Sequence, residues 1–98
     1  MSGQAEDPAV RLRRLRMRAW RRGIKEMDLI LGPYADSRLA DLSPAELDLF
    51  EEILDCNDQD LLAWSTGAGT APAQLAPLLE RMVAHARANI PGKAAQGA

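Results

Sequence analysis

The sequence predicts an all-α fold, a compact single domain of about five short helices. Three observations carry this. Apolar residues recur at intervals of three and four along most of the chain, and no stretch alternates as a half-buried strand would. Helix-starting signatures stand ahead of these stretches at Asp7-Pro8, Ser43-Pro44-Ala45-Glu46 and Thr70-Ala71-Pro72. Hydrophobic residues make up 47% of the 98 positions, yet only two Trp, one Tyr and one Phe are among them. The core must therefore be Leu, Ile, Val, Met and Ala, a palette that suits helices. A chain of this length supports one modest core. We read one domain over 1–98, ordered over about 8–90, with 91–98 as a disordered tail.

Asp7 caps the first helix and Pro8 suits its first position. Leu12, Leu15 and Ala19 form one apolar line, with arginines around it. A second line, Met17, Trp20, Ile24, Met27 and Leu31, runs across Gly23. A glycine inside a helix costs about 1 kcal/mol relative to Ala, so Gly23 marks a break between two helices. With Gly23 as N-cap of the second, Glu26 falls at its third position, where a carboxylate meets the positive helix end. Gly32-Pro33 is expected to stop that helix. Ser43 to Glu46 is a capping box with proline at the first helical position. Leu47, Phe50, Ile53 and Leu54 then share one face, and Asp48, Glu51, Glu52 and Asp55 the other. Asn57 or Asp58 caps a short fourth helix that buries Leu61 and Trp64 and ends at Gly67 and Gly69. Thr70-Ala71-Pro72 starts the last helix, with Leu75, Leu78, Leu79, Met82, Val83 and Ala86 as its stripe. Asn89, Pro91 and Gly92 end it.

The net charge of −2 hides an asymmetry. Residues 8–27 hold eight basic residues against Glu26 alone, and residues 28–60 hold ten acids against Arg38 alone. Either the two halves pack together and neutralise each other, or one meets an oppositely charged partner.

No catalytic constellation is visible. The one histidine, His85, reads as a surface residue, and no second ligand accompanies it at metal-binding spacing. Cys56, the only cysteine, reads as a small packing residue at a helix end. It excludes an intrachain disulfide and points to a reducing compartment. Glu51 and Glu52 are adjacent and so point apart. Gly67-x-Gly69 follows a helix rather than a strand, which makes it a cap and not a phosphate cradle. The apolar runs are far shorter than the ~20 residues of a membrane span, and the polar N-terminus carries no secretory signal. The Arg-rich segment is compatible with nucleic acid, but the sequence pI of about 5.3 and the acidic second half oppose it. What remains is a small helical binding module, with nucleic acid or a general protein partner as the alternatives.

Arg22-Gly23-Ile24-Lys25-Glu26 resembles the RGxxE motif of the succinate dehydrogenase flavinylation factors. Its surroundings are similar too. Arg21 precedes it, Met27-Asp28-Leu29 follows, and Pro33-Tyr34-Ala35 resembles the family's turn after the second helix, with Tyr where Phe is usual. Leu42-Ser43 with Glu46, then Leu54, Asp58-x-Asp60-Leu61 and Trp64, resembles the second half. The likeness covers roughly residues 11–90. It implies a five-helix assembly factor, not an enzyme, that promotes covalent attachment of FAD to a histidine of the succinate dehydrogenase flavoprotein subunit, and in some bacteria of fumarate reductase. FAD would be the partner's cofactor, with none held stably by the factor. Arg21, Arg22, Gly23, Glu26 and Asp28 would meet the partner, unless Arg22 and Glu26 pair with each other at i,i+4. The location implied is the bacterial cytoplasm, or the mitochondrial matrix in a eukaryote, with no nucleic acid bound and no membrane insertion. Trp20 and Trp64 are assigned to core packing rather than to flavin stacking.

Overall fold

The computed structural model describes residues 6–89, and among them it contains five α-helices, one 3-10 turn and no strand. α1 spans Pro8–Ala19, and the Asp7 carboxylate accepts from the Ala9 N–H at 2.8 Å, as its sequence requires. The chain breaks around Gly23, and α2 runs over Lys25–Arg38. Two details of α2 differ from expectation. Its N-cap is Ile24, in extended conformation, so Glu26 is the second helical residue rather than the third. Gly23 is held in the linker instead, its N–H donating to Asp58 across the molecule.

Gly32-Pro33 does not stop α2. Pro33 lies inside the helix, and no turn forms at Pro33-Tyr34-Ala35. A proline there removes one backbone hydrogen bond and costs ~3 kcal/mol. Met27, Leu31, Tyr34 and Ala35 are all buried on either side of it. Each large apolar side chain recovers roughly 1.5–3 kcal/mol on burial, which outweighs the loss. A 3-10 turn at Leu39–Asp41, absent from the sequence reading, ends the segment.

α3 (Pro44–Leu54) opens with both halves of the capping box: Glu46 N–H to Ser43 Oγ at 3.1 Å and Ser43 N–H to Glu46 Oε1 at 3.0 Å. α4 (Asp58–Thr66) is capped by Asn57, whose side chain accepts from Gln59 N–H at 2.7 Å. It ends at Gly67, whose φ of 85° is the left-handed conformation that glycine adopts freely. α5 covers Ala76–Asn89 and starts later than Thr70-Ala71-Pro72 suggests. Thr70 makes no capping bond among the described residues. Ala71 packs against the core, and the Leu75 and Ala76 N–H groups turn onto the Pro72 carbonyl, each at 3.0 Å. The described part of α5 runs to Asn89, and the helix end expected at Asn89, Pro91 and Gly92 and the tail assigned to 91–98 lie at or outside the limit of the described residues.

α2 runs through the middle, packed against α1, α4 and α5, with α3 closing against α1 and α5. Leu15, Met27, Leu31, Phe50, Ile53, Leu61 and Met82 form the fully buried centre. The line Leu12, Leu15 and Ala19 faces it, but the second line splits at the linker. Met27 and Leu31 are buried, whereas Met17 and Trp20 are 48% and 42% exposed. Both lie before the break, which resets the phase of the helix that follows. Trp20 is therefore not a core residue. It lies over Gly32, and its indole N–H donates to Asp36 at 3.2 Å. Trp64 is half-buried against the core, as expected. His85 is not a surface residue. It is half-buried, edge-on to Tyr34 with ring centroids 5.5 Å apart.

The charge asymmetry is largely resolved within the fold. α1 lies along α3, placing Arg11 beside Asp48 (2.7 Å) and Glu51 (3.2 Å), Arg14 beside Glu51 (2.9 Å) and Arg18 beside Asp55 (2.8 Å).

Candidate partner-binding site

The linker between α1 and α2 is fixed by groups that belong to the second half of the chain. Arg22 turns inward, and its side chain is only 9% exposed. Its Nε donates to Asp58 Oδ1 at 2.7 Å, Nη1 to the Leu54 carbonyl at 2.7 Å and Nη2 to the Cys56 carbonyl at 2.9 Å. The two carbonyls sit where α3 ends, with unsatisfied acceptors and the negative end of the helix dipole. Asp58 opens α4, where the dipole favours a carboxylate. One guanidinium therefore joins the end of α3 to the start of α4.

Gly23 completes the clamp. Its N–H donates to the second oxygen of Asp58 at 2.6 Å, and a Cβ on Gly23 would lie 2.9 Å from that oxygen. The glycine lets the carboxylate come this close, and a Cβ there would make the Asp58 side chain shift. Asp28, in the first turns of α2, folds back to accept from the Arg22 N–H at 2.8 Å. The linker is thus bracketed by two carboxylates, Asp58 from α4 and Asp28 from α2.

The five residues singled out from sequence are all brought together, but they divide by direction. Arg22 and Asp28 are turned to internal bonds, while Arg21, Gly23 and Glu26 face solvent. The alternative pairing of Arg22 with Glu26 does not form. Among the described residues Arg21, Lys25 and Glu26 make no ion pair. The site therefore presents a turn of backbone held by internal hydrogen bonds and edged by two free cations and one free carboxylate. These groups suit directional, charge-assisted hydrogen bonds to another protein.

Asp58 is the residue the sequence reading missed as part of the site. Sequence marked it as a cap candidate and as part of the family likeness, not as a site residue, and a bond to a residue 36 positions earlier leaves no local trace.

The family model described as "Flavinator of succinate dehydrogenase" matches residues 13–86. The chain belongs to this family. Among similar flavinator-family proteins is the FAD assembly factor SdhE of Acetobacter pasteurianus, 39% identical over 88 residues that cover 88% of this chain and 81% of the relative. The SdhE of Shewanella oneidensis is 39% identical over 69 residues, covering 70% and 80%. The mitochondrial succinate dehydrogenase assembly factor 2 of Mycosarcoma maydis is 36% identical over 90 residues, 85% of this chain and 38% of that protein.

The one cysteine of this flavinator-family chain is Cys56. Burial pushes the Cys56 thiol above its ordinary pKa, helped by Asp55 and Asp60, and its Sγ donates to the Glu52 carbonyl at 3.3 Å. That favours the unreactive neutral thiol. No cluster of three His, Cys, Asp or Glu able to hold a metal occurs among the described residues. No helix there is long and apolar enough to cross a membrane. Five of the eight basic residues in 8–27 are engaged by acids (Arg11, Arg14, Arg16, Arg18 and Arg22), which leaves Arg13, Arg21 and Lys25 for any phosphate backbone. A nucleic-acid ligand loses most of its expected contacts.

Proposed function

We propose that this protein is a non-catalytic assembly factor that promotes covalent attachment of FAD to the flavoprotein subunit of succinate dehydrogenase, with the flavoprotein of fumarate reductase as a second target where one is present. It acts where that subunit matures, in the bacterial cytoplasm or the mitochondrial matrix. FAD is the substrate of the joining step, and the flavin and its target protein supply the bond-forming chemistry. The factor's part is to hold the target in a conformation that favours the reaction.

The observation that carries this reading is the clamp of Arg22, Gly23 and Asp58. It freezes the RGxxE segment into one shape before any partner arrives, and a preorganised turn loses little freedom on binding. Arg21, Lys25 and Glu26 are then the groups that touch the target, while Arg22 and Asp28 act as positioning residues behind them. A second reading, a general protein-interaction module, shares the geometry but leaves the family unexplained.

The test is covalent flavin on the succinate dehydrogenase flavoprotein, seen as in-gel flavin fluorescence in a strain lacking this gene and complemented with variants. Gly23→Arg is expected to abolish it, but that side chain also meets Asp58, so its melt must be read alongside. Glu26→Ala and Arg21→Ala disturb no internal bond. Both should melt like the wild type, and the double variant should lose most flavinylation. Full flavinylation by that folded double variant would refute the interface.

A further inference from the structure

One face of α1 points away from the core. At 100° per residue, Leu12, Leu15 and Ala19 define its buried side. Arg11, Arg14 and Arg18 turn to one flank and meet the acids of α3. Arg16 and Trp20 turn to the other flank and meet Asp36 on α2. What remains is the outer ridge: Val10, Arg13 and Met17 at i, i+3 and i+7, and Arg21 four residues on. All four are exposed, and Val10 and Met17 account for two of the four large hydrophobic side chains most open to solvent. Val10 and Met17 line a shallow groove of about 470 Å³ between arginine stems.

This ridge is built unlike the rest of α1. Every arginine on the flanks has a carboxylate partner. The two on the ridge, Arg13 and Arg21, have none among the described residues. No acid lies within α1 itself. Aliphatic groups thus alternate with unneutralised cations along about 10 Å of helix from Val10 to Met17, at 1.5 Å per residue, and the groove continues to Arg21 just past the helix end. The strip ends at Arg21, which is also the first residue of the partner-binding turn.

We propose that the Val10–Arg13–Met17–Arg21 ridge is a docking strip for an acidic, aliphatic-bearing segment of the flavoprotein subunit, continuous with the RGxxE turn. The inference rests on the function proposed above. The complementary occupant carries carboxylates for Arg13 and Arg21 and apolar side chains for Val10 and Met17. A phosphate backbone matches poorly, because two free arginines give few contacts and the aliphatic groups between them gain nothing. The ridge supplies anchoring area and the turn supplies directional bonds, so that loss of either leaves partial binding.

The experiment measures binding of the purified apo-flavoprotein subunit to the full chain by calorimetry, at low salt and at about 0.15 M salt. Val10→Asp/Met17→Asp places like charge against the acidic segment and should weaken binding roughly tenfold or more. Arg13→Glu should weaken it less and flatten its salt dependence. Arg87→Glu on α5 serves as control and should bind as wild type. Thermal melts accompany each variant. Val10→Ser/Met17→Ser, which removes aliphatic surface without adding charge, gives the same reading if the aspartates unfold α1. Wild-type affinity in the folded ridge variants, with the wild-type chain itself bound, overturns the docking strip alone. Failure of the wild-type chain to bind the subunit at all overturns the proposed function with it. Binding of a duplex oligonucleotide that is lost in Arg13→Glu would assign the ridge to nucleic acid and overturn the proposal.

Discussion

Asp58 accepts from Arg22 through one oxygen and from the Gly23 N–H through the other, and its side chain is only 19% exposed. Removing one partner of a mostly buried charge pair costs far more than a surface pair is worth, because the remaining charge is left without compensation. Arg22 keeps the two carbonyls of Leu54 and Cys56, which soften the loss. We expect Asp58→Ala to lower stability by roughly 2–3 kcal/mol, seen in a urea titration as a lower midpoint with unchanged slope. Flavinylation should fall well below what the remaining folded fraction would support. Asp58→Asn, which retains one acceptor oxygen, should lie between. An unaltered urea midpoint in Asp58→Ala would mean that the clamp contributes nothing to the fold. The motif residues themselves were legible in sequence because they are contiguous. Their directions were not. That Arg22 points inward depends on where the end of α3 comes to lie, and nothing within a few residues of Arg22 encodes it.

Among the helices, the start of α3 was legible to the residue, since proline and a capping box are local chemistry acting on neighbouring backbone. α2 was not. Gly32-Pro33 carries strong local instructions to stop, and burial of Met27, Leu31, Tyr34 and Ala35 overrides them. The same pair has a tertiary reason. A Cβ on Gly32 would overlap the Trp20 ring, so the glycine opens a seat on α2 for the indole that follows α1. Gly32→Ala should therefore expel Trp20 while gaining up to about 1 kcal/mol of helix propensity. Net stability should change little, whereas the indole, already 42% exposed, should become more so. In a Trp64→Phe background, the emission of Trp20 is expected to shift to longer wavelength in Gly32→Ala. An unshifted spectrum would show that the ring has another place to pack.

Taken whole, the molecule holds its basic first helix against acids from the rest of the chain. The Ser43 backbone N–H and the Arg81 guanidinium keep the Glu46 carboxyl below its ordinary pKa, and a hydrogen bond from Arg14 does the same for Glu6. A carboxylate whose pKa is lower folded than unfolded adds stability above its unfolded pKa and loses it as pH falls through the folded one. The melting temperature should thus be nearly flat from neutral pH to about 5 and fall below roughly 4.5, the unshifted glutamate value. Added salt should shallow that fall, since these pairs are exposed. A melt independent of pH down to 3 would remove the carboxylates from the account. The clamp, finally, sets an order in time. Arg22 leaves the ribosome 32 to 36 residues ahead of the groups that hold it. A nascent chain that has made the RGxxE segment has not yet made Asp58, so the clamp closes only with α4. A fragment ending before Asp58 carries the whole RGxxE motif but lacks the carboxylate that ties Arg22 to Gly23.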